Sequence, residues 1–361
     1  MNTCISQLIE RYQKRSEQRL RMLQSFFGSS QGGFLIIQRP PMTLWGTCNN
    51  IEWIFRNNIE AMDAWLSVDA TDELPYLEPW IGTGVYANAF GCEYHWRDDE
   101  APAVHYKYHK IEEVRGITKP DWRQSPVMRM VLDCIDRLKE GTQGKFPIAL
   151  TDTQSPYDTA TLVLDACELF ASCYEEPETV KHFMQQITDL LIEFSREQIS
   201  HIGDNLVARP GHIMTAFPGG PGISISDDNL AVGSPTVNRD ISLPFNQQIA
   251  DAFGGIAIHS CGAWSSTMRH LRACPGAFMI DCAAELTCDP NPNPPEAIRN
   301  ALVDQNIIAK VRFGANMQTV VPAVRDLADK RLRLVVEIGY DAPNAQRNYD
   351  LVRQTLEEIY Q

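Results

Sequence analysis

Strand-like apolar runs alternate with helix-like stretches through the second half of the sequence, and this alternation constrains the fold more than any other feature. Strands that alternate with helices pair in parallel, because each helix carries the chain back across the sheet. The predicted strands cover residues 256–259, 277–281, 307–313 and 332–338, and the predicted helices cover residues 235–252, 264–273, 294–304, 317–330 and 345–360.

The first half shows the same alternation around a long polar segment at 92–123. Strands are predicted at 34–38, 74–80 and 146–150, and helices at 1–23, 52–67, 124–140, from 156 onward and at 177–201. Since the number of strand–helix units is near eight, we expect a single (β/α)8 TIM barrel rather than an open doubly wound sheet. Residues 1–33 are predicted to form an N-terminal helical extension, and residues 34–361 the barrel.

Charge and composition exclude several classes of protein. The formal net charge of −14 argues against a nucleic-acid-binding protein, which needs a basic surface. The first residues are polar, and no segment is long and apolar enough for a membrane span. The glycine-rich run at 219–222 lacks the residues that complete a phosphate-binding loop and is expected to be an ordinary loop. We therefore expect a cytoplasmic protein with mostly free thiols and a small-molecule substrate.

The tetrapeptide His259-Ser260-Cys261-Gly262 stands where the predicted strand at 256–259 ends. Side chains two residues apart on a strand point to the same side, so His259 and Cys261 are expected to project together. A histidine nitrogen and a thiolate suit a borderline-soft metal such as zinc. The alternative is a structural histidine beside a buried cysteine that behaves as a small hydrophobic residue.

Further polar residues fall at or near the ends of predicted strands, where the active sites of (β/α)8 barrels lie. Asp281, Arg312 and Glu337 are such residues, and we expect Arg39, Glu78 and Glu337 to surround one cleft with the metal pair. One interpretation of Glu337 is an ion pair with Arg312 or Arg333. His212 lies in a predicted loop near the same mouth, and exposure to solvent is the alternative for this residue.

Short motifs along the chain occur in an order that is similar to a known superfamily. They are Ile81-Gly82-Thr83-Gly84, Asp152-Thr153-Gln154-Ser155-Pro156, Ser226-Asp227-Asp228, Ser234-Pro235, Pro244-Phe245 and the run from Gly254 to Gly262. From about residue 34 onward, the chain resembles the uroporphyrinogen decarboxylase superfamily. The superfamily includes decarboxylases and zinc-dependent methyltransferases that move a methyl group between a corrinoid protein and a thiol such as coenzyme M. The resemblance implies a (β/α)8 barrel.

The decarboxylases of this superfamily bind the carboxylates of their porphyrinogen through an arginine-rich motif on the first strand. Only Arg39 matches that motif here, so the resemblance implies that Arg39 binds a substrate carboxylate and that uroporphyrinogen itself is not the substrate. Glu78, Asp228 and Tyr340 stand at the positions of other family site residues, and we predict them as catalytic together with Arg39. The alternatives are a helix N-cap for Asp228 and core packing for Tyr340.

In the methyltransferases, zinc is held by a His-x-Cys pair and by a later cysteine. His259 and Cys261 match the pair, whereas Tyr340 stands at the position of the later cysteine. The resemblance therefore implies a zinc site at His259 and Cys261. The chain departs from the family at the third ligand, and we predict that Glu337 supplies this donor, with Cys282 as the alternative.

Three functions are compatible with these residues. The leading hypothesis is zinc-dependent methyl transfer between a corrinoid, carried by a partner protein, and a thiol or methylated donor, with Arg39 orienting an anionic end of the thiol. The second is cofactor-free decarboxylation of a smaller carboxylated substrate, in which Glu78 or Asp228 stabilises positive charge. The third is a binding barrel without catalysis, because fold alone does not decide function.

Overall fold

The computed structural model describes residues 4–41, 48–97, 100–210, 220 and 222–361, and for residues 208–210 it describes the backbone alone. His212, Gly219 and Pro221 lie outside the described residues. No helix within the described ranges combines the length and the apolar character that crossing a membrane requires.

Strands and helices alternate along most of the chain. The strands of the described part are β1 (Gly33–Ile37), β2 (Glu93–His95), β3 (Ala103–His105), β4 (Ile148–Leu150), β5 (Leu206–Pro210), β6 (Ile223–Ser226), β7 (Ile256–His259), β8 (Ala277–Ala283), β9 (Ile308–Phe313) and β10 (Arg333–Ile338). The α-helices are α1 (Ile5–Gly28), α2 (Ile51–Leu66), α3 (Val85–Ala89), α4 (Ile111–Val114), α5 (Pro126–Gly141), α6 (Pro156–Val163), α7 (Ala166–Glu175), α8 (Pro177–Ile202), α9 (Pro235–Val237), α10 (Leu243–Phe253), α11 (Ser265–Met268), α12 (Pro295–Leu302), α13 (Met317–Leu327) and α14 (Ala345–Tyr360).

A parallel sheet of six strands, in the order β1-β10-β9-β8-β7-β6, forms the centre of the molecule. Its strands are buried almost throughout, which is typical of parallel sheets that are covered on both faces. The prediction of an α/β fold with a parallel sheet is confirmed. The four strands predicted in the second half are all present, within two residues of the predicted ends.

β4 and β5 form a separate parallel pair, and backbone hydrogen bonds link this pair to the strands on either side. On one side, the amide of Ala149 donates to the carbonyl of Leu77 at 2.9 Å. On the other, the amide of Ser226 in β6 donates to the carbonyl of Thr153 at 2.9 Å. Parallel pairing therefore extends from β4 to the segment at Leu77 on one side and, past the carboxyl end of β4, to β6 on the other.

The strand predicted at 74–80 is reduced in the structure to a single parallel bridge at Leu77. Pro75 and Pro79 flank the bridge, and proline has no amide hydrogen to donate to a neighbouring strand. The polar segment after it contains a short antiparallel hairpin of β2 and β3, which the sequence pattern did not predict.

The helix predicted at 1–23 is present as α1, which packs on the core through the fully buried Leu8 and Leu23 and the nearly buried Tyr12. The division of the chain into an extension at 1–33 and a barrel at 34–361 stays a prediction.

Candidate metal centre

The site is built at the carboxyl ends of β6, β7 and β8. β7 ends at His259, which pairs in register with Ser226 of β6 and Asp281 of β8. Asp228 follows β6 by two residues, and Cys261 follows β7 by two residues. Because parallel strands end at the same edge of a sheet, these side chains meet although they are distant in sequence.

Asp228, His259 and Cys261 each offer a ligand atom, and these atoms lie within 4.8 Å of one another. His259 Nε2 is 3.3 Å from Cys261 Sγ and 3.5 Å from Asp228 Oδ1. His259 is buried, whereas Cys261 is exposed, so the three donors face an accessible position. The third member of the group is Asp228, which the sequence predicted as catalytic rather than as a ligand.

A carboxylate behind His259 fixes the orientation of its ring. Asp281 Oδ1 lies 2.6 Å from His259 Nδ1. A carboxylate oxygen accepts, so Nδ1 carries a hydrogen and donates a hydrogen bond to it. Nε2 is thereby directed toward Asp228 and Cys261, as in histidines that bind metals. Burial alone lowers the pKa of His259, but its hydrogen bonds with Asp281 and Cys261 outweigh burial and raise the pKa to about 10. A cation that binds Nε2 therefore replaces a proton.

The loop that carries Cys261 is held in one conformation. The Cys261 amide donates to Asp228 Oδ1 at 2.6 Å, and the Gly262 amide donates to Asp289 Oδ2 at 2.8 Å. Gly262 has φ +71°, and a Cβ there would lie 2.8 Å from the Cβ of Ala231. Glycine is required at this turn, because another residue would be strained and would clash.

A buried chain of charges extends from the histidine across the interior. Lys310 Nζ lies 2.6 Å from Asp281 Oδ2 and 2.5 Å from Glu337 Oε2, and the Lys310 side chain has no exposed surface. Glu337 Oε2 is 3.8 Å from Arg39 Nη1. Burial alone raises the pKa of Asp281 and of Glu337, but the neighbouring cations outweigh it and hold both pKa values below their ordinary range.

Glu337 thus contacts cations rather than the donor group. The interpretation of Glu337 as an ion-paired residue is correct in kind, but its partners are Lys310 and Arg39 instead of Arg312 or Arg333. Arg333 lies at the other end of β10, where Nη2 donates to the carbonyl of Asn306 at 2.9 Å. Ligation by Glu337 stays a prediction that this geometry does not favour.

Cys282, the alternative third ligand, follows Asp281 in β8 and points to the opposite side of the sheet. It is fully buried in the hydrophobic core, and burial raises the pKa of its thiol. The structure therefore does not bring Cys282 to the donor group.

Arg39 follows β1, and its guanidinium forms two parallel bonds with Glu73. Nε lies 2.5 Å from Glu73 Oε2, and Nη2 lies 2.7 Å from Oε1. The predicted role of Arg39 in binding a substrate carboxylate stays a prediction, although a protein carboxylate already occupies this bidentate geometry.

The other two predicted catalytic residues lie at strand ends without joining the donor group. Glu78 is buried, and its backbone exchanges hydrogen bonds with the side chain of Asn58. Tyr340 is partly buried and follows Gly339, whose amide donates to the carbonyl of Gly314.

Buried aspartates near the site were not predicted as functional. Asp152 accepts hydrogen bonds from Trp80 Nε1 at 3.3 Å and from Gln154 Nε2 at 2.9 Å. Burial raises the pKa of Asp152 to about 6. Asp158 accepts from the amide of Asp228 at 2.7 Å and so positions the turn that carries this donor. The sequence feature that could have indicated Asp152 as a functional residue is its place in the motif at 152–156.

The donor set fits zinc. Zinc binds histidine nitrogen at about 2.0 Å and cysteine sulfur at about 2.3 Å, so tetrahedral ligands lie about 3.5 Å apart. The separations of 3.3 Å and 3.5 Å agree with this spacing. Three protein donors leave a fourth position for another ligand, which is the arrangement of catalytic rather than structural zinc sites. Asp281 supplies the outer carboxylate that such sites place behind a histidine.

Comparison with known proteins shows similarity in part of the sequence and in the fold. Residues 82–207 match the family model of uroporphyrinogen decarboxylase (URO-D). A methyltransferase from Methanosarcina mazei has a similar fold, with a TM-score of 0.65 and 13% sequence identity over 95% of this chain and 99% of the other. A search of curated proteins found no match. The predicted resemblance to the uroporphyrinogen decarboxylase superfamily is confirmed.

Proposed function

We propose that this chain is a zinc-dependent methyltransferase of the uroporphyrinogen decarboxylase superfamily. In this proposal, a methyl group passes between a corrinoid, carried by a partner protein, and a thiol or a methylated donor. The observation that carries the proposal is the group of Asp228, His259 and Cys261, whose ligand atoms lie within 4.8 Å of one another and face an accessible position. The likeness in fold to a methyltransferase supports it.

The proposal includes a closed (β/α)8 barrel. The six-stranded sheet supplies six of its strands, and β4 and the segment bridged at Leu77 supply the other two, with β5 paired beside β4. The bridge at Leu77 and the bridge between Gln154 and Ser226 support closure, because both extend parallel pairing beyond the assigned strands. The donor group then lies at the mouth of the barrel, where the active sites of this fold occur.

In this proposal, the residues of the site have different roles. His259, Cys261 and Asp228 would hold the metal, and zinc bound there would lower the pKa of a bound thiol. Asp281 keeps the His259 ring in one orientation, and Lys310 holds Asp281 from the other side at 2.6 Å. The exposed face of Cys261 leaves room for the substrate.

A second candidate is cofactor-free decarboxylation, and the match of residues 82–207 to a decarboxylase family favours it. Two features argue against uroporphyrinogen as its substrate. The arginine-rich motif is reduced to Arg39, and Arg39 is paired with Glu73 at 2.5 Å and 2.7 Å. A decarboxylase of this kind needs no metal, so the metal content of the protein separates the two candidates.

The experiment compares zinc content and thermal unfolding in wild-type protein, Cys261→Ser and Cys274→Ser. Cys261→Ser is expected to lose most of the bound zinc, because a serine hydroxyl is a poor substitute for a thiolate. Its fold is expected to persist, since Cys261 is exposed and the large core does not depend on a metal. Cys274 is buried away from the donor group, so Cys274→Ser is expected to keep its zinc.

Equal zinc in all three proteins removes Cys261 from the site. Absence of zinc from all three, even after reconstitution, refutes the methyltransferase proposal and favours the decarboxylase or a barrel that only binds. Zinc bound by wild type and Cys274→Ser but not by Cys261→Ser supports the proposed site.

A further inference from the structure

Arg312 lies closer to the carboxyl end of β9 than the enclosed Lys310, on the same side of the strand. It pairs in register with Ala283 of β8 and Glu337 of β10. The Lys310 side chain has no exposed surface, whereas 19% of the Arg312 side chain is exposed. Arg312 therefore stands between the buried charges and the opening where the donor group lies.

Among the described residues, the guanidinium of Arg312 has protein hydrogen-bond partners for only some of its nitrogens. Its Nε donates to Asp281 Oδ1 at 3.1 Å, and among the described residues this is its single ion pair. Nη2 is buried and has no hydrogen-bond partner within the described ranges. A buried N–H group without an acceptor is unfavourable, so an oxygen supplied by a ligand would stabilise this arrangement.

Arg312 and the metal-binding histidine share one carboxylate oxygen. Asp281 Oδ1 accepts from His259 Nδ1 at 2.6 Å and from Arg312 Nε at 3.1 Å. A ligand that reaches both the donor group and the far end of this guanidinium therefore has to be short.

Arg39, which belongs to the same buried chain of charges, is already paired with protein carboxylates. Both Glu73 oxygens bind Arg39, and Glu337 lies 3.8 Å from its third nitrogen. Accepting a substrate anion would require Arg39 to give up a bidentate ion pair that is 9% and 5% exposed. Arg312 can accept an anion without breaking its bond to Asp281.

We infer that Arg312 forms an anion-binding subsite beside the metal donors, and that it takes the carboxylate or sulfonate end of a short organic thiol. The thiol end rests on the proposed function, whereas the anionic end rests on the geometry of Arg312 alone. Guanidinium binds both anions through charge-assisted hydrogen bonds. In this arrangement Arg312 selects the substrate, and Arg39 holds Glu73 and Glu337 in place.

The first experiment uses metal-free protein and ligands without a thiol. Propionate, ethanesulfonate and the uncharged propanol are titrated calorimetrically into wild type, Arg312→Gln, Arg312→Lys and Arg325→Gln. Arg325 is the matched control, because it is an exposed arginine that pairs with Glu358 on the surface. Both anions are expected to bind wild type and Arg325→Gln. In Arg312→Gln, the affinity for both anions is expected to fall on the order of 10-fold to 100-fold.

The second experiment compares 3-mercaptopropionate with 2-mercaptoethanol on zinc-loaded protein. Wild type is expected to prefer the charged thiol, and Arg312→Gln is expected to lose much more affinity for the charged thiol than for 2-mercaptoethanol, so that the preference disappears. A structural role for Arg312 would weaken both thiols alike and overturn the inference. Anion affinity that persists in Arg312→Gln, or that falls equally in Arg325→Gln, also overturns it.

The two experiments separate the subsite from the proposed function. If zinc does not bind, the first experiment still tests Arg312, because it involves neither metal nor thiol. If Arg312→Gln does not fold, Arg312→Lys carries the test. Lysine keeps the charge but loses the fork of donors, so it is expected to bind both anions more weakly than wild type, and equal affinity counts against the subsite.

Discussion

A Lys310→Met substitution removes the ammonium group between Asp281 and Glu337 but keeps an unbranched side chain of similar length. In the wild-type protein, Lys310 Nζ lies 2.6 Å from Asp281 and 2.5 Å from Glu337. Asp281 and Lys310 have no exposed side-chain surface, and Glu337 has 20%. The substitution therefore leaves two buried carboxylates without their shared cation.

Removing one partner of a buried ion pair costs about 3–5 kcal/mol. We expect a loss of about 3 kcal/mol in the free energy of unfolding at pH 7, at the low end of this range. The low end applies because Arg312 remains 3.1 Å from Asp281, and Arg39 remains 3.8 Å from Glu337.

The loss is expected to depend on pH. Lys310 helps to hold the pKa values of Asp281 and Glu337 below their ordinary range. A lowered carboxyl pKa stabilises the fold above the unfolded value of about 4, and this contribution is lost as pH falls toward the folded value. Without Lys310 the two folded pKa values rise. As pH falls, the two carboxylates therefore become protonated at a higher pH in the variant than in the wild type, and their repulsion is removed. The deficit is largest at pH 7 and shrinks toward pH 4.

The assay is urea unfolding of wild type and variant at pH 7 and pH 5, followed by circular dichroism and tryptophan fluorescence. Lys330→Met is the control, because Lys330 is exposed and its replacement is expected to change stability by no more than about 0.5 kcal/mol. A loss below about 1 kcal/mol at pH 7 refutes the magnitude. A deficit that grows as pH falls refutes the assignment of Lys310 as the shared cation.

Three further measurements test other parts of the structure. Asp152→Asn is expected to raise the free energy of unfolding at pH 8 by about 1–3 kcal/mol and to have no effect at pH 4. Burial raises the pKa of Asp152 to about 6, so the ionised carboxylate opposes folding above that pH, and a less stable variant at pH 8 contradicts the argument. Asp281→Asn is expected to weaken zinc binding about 10-fold to 100-fold, measured by chelator competition, and unchanged affinity excludes its support of His259. Uroporphyrinogen is not expected to be decarboxylated, and turnover on the order of 1 per second shows that the loss of the arginine motif was misread.

Local pattern was sufficient to predict most of the strands that build the site. β7, β8, β9 and β10 were predicted because each is a continuous apolar run bounded by helical sequence, which is typical of a buried parallel strand. Where prolines interrupt such a run, the predicted length of the strand was wrong. The strand at 74–80 keeps one bridge because Pro75 and Pro79 cannot donate to a neighbour.

The pair of His259 and Cys261 was also predictable, because two residues at strand spacing near a strand end project together. The same alternation could have indicated Lys310, which lies two residues before Arg312 and on the same side of the apolar strand β9. Charge inside such a run is costly unless it is paired, so it indicates an interior network.

Sequence by itself therefore determined the parallel α/β architecture and two donors of the candidate site. Tertiary structure decided the third donor, since Asp228 reaches His259 only through the register of β6 on β7. It also decided that Arg39 is held by Glu73 whereas Arg312 keeps an unpartnered nitrogen within the described ranges. The physical reason is that alternation and spacing act along one strand, whereas ligation and ion pairing join atoms from different strands.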